Sequence, residues 1–215
     1  MGMSRIDPYP MPSEAELPAN GATWRPEPSR AALLIHDMQR YFVDAFVPGE
    51  PPVTDLVANV VRIRRAARRR GMPVIYTAQP GAMSRARRGL LFDFWGPGMS
   101  AHPDERDIVA EIAPGPDDLV VDKLRYSAFH GCDLAGTIRT LGRDQIVVCG
   151  VYAHLGCLMT ACDAFAHDIR PFLVADAVAD LSARHHRLAL EYAAGRCAVS
   201  MTTSRLLTQL GDHHG

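Results

Sequence analysis

From Ala31 onward, short continuous apolar runs alternate with longer stretches in which apolar residues recur at helical spacing. The runs are 31–37 (AALLIHD), 73–78 (PVIYTA), 118–123 (DLVVDK), 145–150 (QIVVCG), 170–177 (RPFLVADA) and 198–203 (AVSMTT). Their lack of polar alternation is the pattern of strands covered on both faces. The stretches 54–70, 104–112, 133–142, 157–168, 184–196 and 204–210 are expected to be helices, with Thr54 and Ser182 as N-caps. Strand and helix in alternation predict a three-layer α/β/α architecture, with a Rossmann-like, six-stranded parallel sheet between two helical layers.

Residues 1–30 break this pattern. Pro8, Pro10, Pro12, Pro18, Pro26 and Pro28 exclude both a helix and an interior strand. An extended arm is expected there, wrapping the rest of the chain or a partner subunit. Residues 31–211 then form a single domain, since 215 residues with 47% hydrophobic content suffice for one buried core.

Charge removes some classes of partner. A net charge of −1 gives no electrostatic case for nucleic acid or an anionic membrane. Arg62, Arg64, Arg65, Arg68, Arg69 and Arg70 cluster, but Val60, Val61 and Ile63 are interleaved with them, as on the solvated face of an amphipathic helix. No apolar run approaches the ~20 residues of a membrane span. Five cysteines without a C-x-x-C pair fit reduced thiols in the cytoplasm.

In an open parallel sheet, ligands bind beyond the carboxyl ends of the strands. Asp37, Gln79, Lys123 and the turn 151–156 all follow predicted strand ends, so they converge on one rim. Taken alone, Asp37 reads as a loop or cap residue and Lys123 as a solvated cation. Their joint placement at adjacent strand ends marks a site.

The turn itself carries a further signal. The segment 150–164, GVYAHLGCLMTACDA, resembles the turn on which isochorismatase-like hydrolases carry a catalytic cysteine, in a pattern similar to G-x-x-T-x-x-C-V-x-x-T-A-x-D-A. Gly150, Thr160, Ala161, Asp163 and Ala164 match it, and Gly156 stands at the cysteine position. Cys157 lies one residue later, a rotation of about 100° on a helix. HDMQRYF (36–42), YTAQPG (76–81), RGLLFDFWGPGM (88–99), DKLRYSAF (122–129) and DIRPFLVADAVADLS (168–182) extend the resemblance over nearly the whole chain, specifically to the isochorismatase branch. Together with YPMPSEAELPAN (9–20), they look most like the phenazine-pathway members acting on 2-amino-2-deoxyisochorismate.

The resemblance implies the isochorismatase-like hydrolase fold, a homodimer, and a small-molecule substrate that is a chorismate-derived enolpyruvyl ether. It also implies a cis peptide at Val151–Tyr152. Hydrolysis of such an ether proceeds by protonating the methylene carbon and capturing the oxocarbenium ion with water. Asp37 is then the general acid, and Lys123 holds a substrate carboxylate and orients Asp37. Gly156 leaves space where a thiol would crowd the enolpyruvyl group. Gln79 and Arg88 bind polar groups of the substrate, with arginine suited to a carboxylate. Phe42, Trp95 and Tyr152 supply apolar walls, or else ordinary core packing.

No metal and no cofactor are expected. Nicotinamidases of the superfamily carry an Asp-x-His metal motif after the second strand, where this chain reads Ala78-Gln79-Pro80. His185 and His186 face different directions on a helix and are expected to be structural or at the surface. The expected reaction gives 2,3-dihydro-3-hydroxyanthranilate and pyruvate. Two alternatives remain open: an isochorismatase of a siderophore pathway, and a cysteine amidohydrolase using Cys157.

Overall fold

A computed structural model describes residues 4–212. Six strands form one parallel sheet in the order β3-β2-β1-β4-β5-β6. They are β1 (Ala31–His36), β2 (Val74–Ala78), β3 (Leu119–Asp122), β4 (Gln145–Val151), β5 (Arg170–Ala179) and β6 (Val199–Met201). Every residue of β1 and β4 is buried, which explains their continuous apolar runs: two cores pack on the two faces of the sheet. Strand β3 departs from that expectation. It pairs with β2 alone, at the sheet edge, and Leu119 and Val120 stay exposed.

The helices are α1 (Arg40–Val43), α2 (Val53–Arg69), α3 (Arg85–Arg88), α4 (Leu91–Trp95), α5 (Pro103–Arg106), α6 (Leu134–Thr140), α7 (Leu158–Ala166), α8 (Ala183–Arg196) and α9 (Thr203–Gln209). Helix α2 buries Leu56, Val60, Ile63 and Ala67, one stripe at helical spacing. Part of its arginine cluster ties the helix to neighbouring loops: Arg68 pairs with Asp118, and Arg64 donates to the carbonyls of Glu111 and Ala113. Among the described residues no helix is long and apolar enough to cross a membrane.

Two local expectations fail. Thr54 is not an N-cap, because α2 begins one residue earlier, with Pro52 at the cap position. Ser182 does cap α8, accepting from the His185 amide at 3.3 Å. The predicted helix over 104–112 stops at Arg106. The chain after it pairs with the loop following β1: Gln39 bridges Ile108, Arg40 N donates to Asp107 O, and Val109 N donates to Met38 O. Those extended pairings take the backbone groups a longer helix would have used.

Among its described residues, the proline-rich segment holds one short 3-10 turn, Glu14–Glu16, and lies along the domain. Ile6 N donates to Ala45 O at 2.8 Å, and Asn20 exchanges two hydrogen bonds with the backbone of Ser200. The Tyr9 hydroxyl accepts from the Asp180 amide at 2.7 Å and donates to the Asp180 carbonyl at 3.2 Å.

Candidate active site

The register of the central strands aligns His36 with both Thr77 and Gly150, so the chain leaves β1, β2 and β4 at one level. Asp37 is the first residue past β1 and is 3% exposed. Its φ of 47° lies in the left-handed region, uncommon for a non-glycine residue and concentrated at functional sites. Lys123, just past β3, is 2% exposed, and its Nζ reaches Asp37 Oδ2 at 2.7 Å. Thr77 donates its hydroxyl to Asp37 Oδ1 at 2.5 Å, and Gln79 Nε2 donates to Oδ2 at 3.2 Å. Three side chains from the ends of two neighbouring strands, β2 and β3, therefore hold one carboxyl group.

Burial pushes the Asp37 carboxyl up, but the Lys123 ammonium and the hydrogen bonds from Lys123 and Thr77 pull it down, and the balance lies below the ordinary value. His36 adds no cation near neutral pH, because burial lowers its pKa to about 4 even beside Asp37. The neutral imidazole donates Nδ1–H to the Val151 carbonyl at 2.8 Å.

Above this floor lies a partly open cavity. Asp37, Lys123, Gln79 and Gly156 line it, and so do Arg88, Phe42, Trp95 and Tyr152. Arg88 comes from α3 and is 5% exposed. Its Nε donates to Gly96 O at 2.6 Å, and Gly98, with φ 77°, lacks the Cβ that would strike its guanidinium. Arg88 enters no ion pair among the described residues, and burial depresses its pKa. A buried cation without a counter-ion is suited to receive an anion. Phe42 and Tyr152 meet edge to face at 5.9 Å, and the Tyr152 hydroxyl donates to Phe42 O at 2.8 Å. Trp95 Nε1 donates to the Tyr126 hydroxyl at 2.7 Å.

Val151 and Tyr152 are joined by a cis peptide, and the turn continues as a wide helical turn, Ala153–Cys157, into α7. Gly156 lines the cavity, but the space it leaves is not, as the sequence suggested, on the substrate side. The direction a side chain would take from Gly156 is not open space: it is occupied by the His36 imidazole. Cys157 is fully buried in the core on the opposite side, does not line the cavity, and burial pushes its thiol pKa well above the ordinary value. A thiol that neither ionises nor faces the cavity is ill suited to nucleophilic attack.

Sequence reasoning missed Tyr41, Tyr126, Leu91 and Leu155, which also line the cavity, as well as Thr77 and His36 beneath it. Tyr41 and Tyr126 stand inside motifs that carry the resemblance, which was the available signal. Outside the cavity, ligand atoms of His154, Asp180 and His185 lie within 4.8 Å of one another. The His154 Nδ1 bonds Asp180 Oδ1 at 2.7 Å, and the two imidazoles stack at 4.4 Å with planes 14° apart. Near-parallel rings aim their in-plane lone pairs alongside each other rather than at one point, so this cluster packs better than it chelates. His186 points away from it and bonds Ala175 O at 2.9 Å.

A parallel sheet with a buried carboxylate–ammonium pair beside a cavity at its strand ends has the layout of a small-molecule site, and comparison with known proteins gives its family. Residues 31–205 match the isochorismatase domain, and the chain belongs to that family. It is 55% identical to the phenazine biosynthesis protein PhzD1 of Pseudomonas aeruginosa, over 96% of this chain and 99% of that protein. It is 53% identical to an isochorismatase of Bacillus subtilis, over 98% of this chain and 67% of that one. Enterobactin synthase component B of Escherichia coli is 44% identical, over 96% and 73%. Among solved structures, a cysteine hydrolase from Pseudomonas syringae superposes with a TM-score of 0.79 at 25% identity, covering 90% of this chain and 97% of that one. The fold is that of the isochorismatase-like hydrolases.

Proposed function

We propose that this enzyme hydrolyses the enolpyruvyl ether of 2-amino-2-deoxyisochorismate to 2,3-dihydro-3-hydroxyanthranilate and pyruvate, with Asp37 as general acid. The observation that carries the reading is the Asp37 carboxyl beside a cavity in which no thiol faces the substrate space. Asp37 delivers a proton to the methylene carbon of CH2=C(COO−)–O–R. Water adds to the resulting oxocarbenium ion, the hemiketal collapses to pyruvate and the ring alcohol, and the proton released returns to the carboxylate.

Proton delivery requires the neutral acid, which Lys123 disfavours in the free enzyme. Substrate reverses that bias. Its carboxylates engage Arg88 and Lys123, compete with Asp37 for the Lys123 charge, and displace water from a site walled by Phe42, Trp95 and Tyr152. Gln79 holds the ring substituents or the second carboxylate.

The likeness to the Bacillus subtilis isochorismatase favours a second substrate, isochorismate, which differs by a hydroxyl in place of the amine. A side-by-side measurement of kcat/KM with pyruvate detection separates the two. A preference for the amine of tenfold or more supports the first reading, and the reverse preference replaces it. The reading includes a cytoplasmic homodimer. Five unpaired cysteines suit a reducing compartment, and light scattering checks the dimer.

A further inference from the structure

Two glycines enclose His36. Gly150, with φ 114°, lies against its backbone, and a Cβ there would stand 2.8 Å from His36 N. Gly156 lies against its ring, where a Cβ would strike Cε1 and stand 2.8 Å from Nε2 and 2.9 Å from Nδ1. The ring cannot swing aside, because it is fully buried and its Nδ1 is bonded to Val151 O. The obstacle is therefore fixed.

We propose that His36 is the residue that commits this site to chemistry without a side-chain nucleophile, because its imidazole fills the volume that any side chain at position 156 would need. Position 156 lines the cavity beside Asp37 and Lys123, where an attacking group would have to stand. With His36 in place any side chain at that position collides with the ring, so a thiol or hydroxyl enters there only at a cost in stability. His36 acts through shape and through the Val151 carbonyl, so it is a positioning and specificity residue rather than a proton donor.

The test is a double-mutant cycle of Gly156→Ala, His36→Ala and the two combined, read as Tm. Overpacking a fixed ring is expected to lower Tm by about 5 °C when His36 is present. The same alanine should lower it by less than about 2 °C when residue 36 is alanine. If Gly156→Ala fails to fold, recovery of a folded double variant gives the same answer. An equal loss in both backgrounds, or no loss with His36 present, overturns the proposal. This arm involves no substrate, so it stands or falls apart from the reaction assigned above.

A second arm rests on that reading and asks whether a nucleophile can be accommodated once the ring is gone. In folded His36→Ala/Gly156→Cys, titration of native thiols should find one more reactive group than in His36→Ala. A count that does not change means that the ring is not what keeps a nucleophile out.

Discussion

The floor and the roof of the cavity are built by opposite means. The floor is made of strand ends: Asp37 and Lys123 are fixed by β1 and β3, locked by Thr77 and Gln79, and almost wholly buried. The roof is two short helices, α3 and α4, joined through Gly89, tied to each other by Arg88 to Gly96 and held down by Trp95 to Tyr126. Its outer face exposes Leu90 at 78% and Phe94 at 82%. A proton transfer needs atoms placed to a fraction of an ångström, and a sheet provides that. Substrate recognition needs a cover that fits around an entering molecule, and short helices on loops provide that.

The largest effect should come from the floor. Asp37→Asn keeps the shape but has no proton to give, and kcat should fall by about 10²–10⁴. Retention of more than about a tenth of wild-type kcat in the folded variant would remove Asp37 from the acid role. Lys123→Met should come next. Losing one partner of a buried pair costs about 3–5 kcal/mol of stability, measured by denaturant unfolding. The sign of its pH effect is fixed. Asp37 is depressed in the folded wild type, so the pair contributes stability above the unfolded carboxyl pKa of about 3.9, and that stability is lost as pH falls through the folded value. Lys123→Met should show a smaller acid loss, and the alkaline limb of its kcat/KM profile should move to higher pH. An unmoved limb would mean that Lys123 does not set the Asp37 pKa.

Effects at the roof should be smaller and fall on binding. Arg88→Lys keeps the charge but loses the planar fork, so KM should rise about tenfold with kcat little changed. A fall in kcat at constant KM would instead place Arg88 in the transition state. Smallest of all, Phe94→Ser should alter stability by less than about 0.5 kcal/mol and leave kcat within a factor of about two. A large loss there would show that the outer roof face is covered in the working enzyme.

The floor was also the legible part of the sequence. Continuous apolar runs announce all six strands, and the charged residues that close two of them, Asp37 and Lys123, announce the rim. The roof has no such signature. Segments of four or five residues are too short for a 3.6-residue period to register, so α3 and α4 went unseen although Arg88 and Trp95 were named from the motif. His36 was missed because a histidine inside an apolar strand reads as filler. Only folding brings its ring beneath a residue 120 positions later.

The proline-rich segment has a consequence for the order in which the molecule is assembled. Tyr9 finds its partner 171 residues further along the chain, and Asn20 finds its partner 180 residues further along. The same Asp180 that receives Tyr9 also holds the His154 amide at 2.6 Å, at the start of the wide turn bordering the cavity. On a ribosome, Ile6 can meet Ala45 early, but the Tyr9 hydroxyl and Asn20 must wait for residues 180 and 200. Closures of this span are slow. The turn beside the cavity thus gains its bond to Asp180 only after 26 further residues have followed His154, and Tyr9 joins the same residue no earlier.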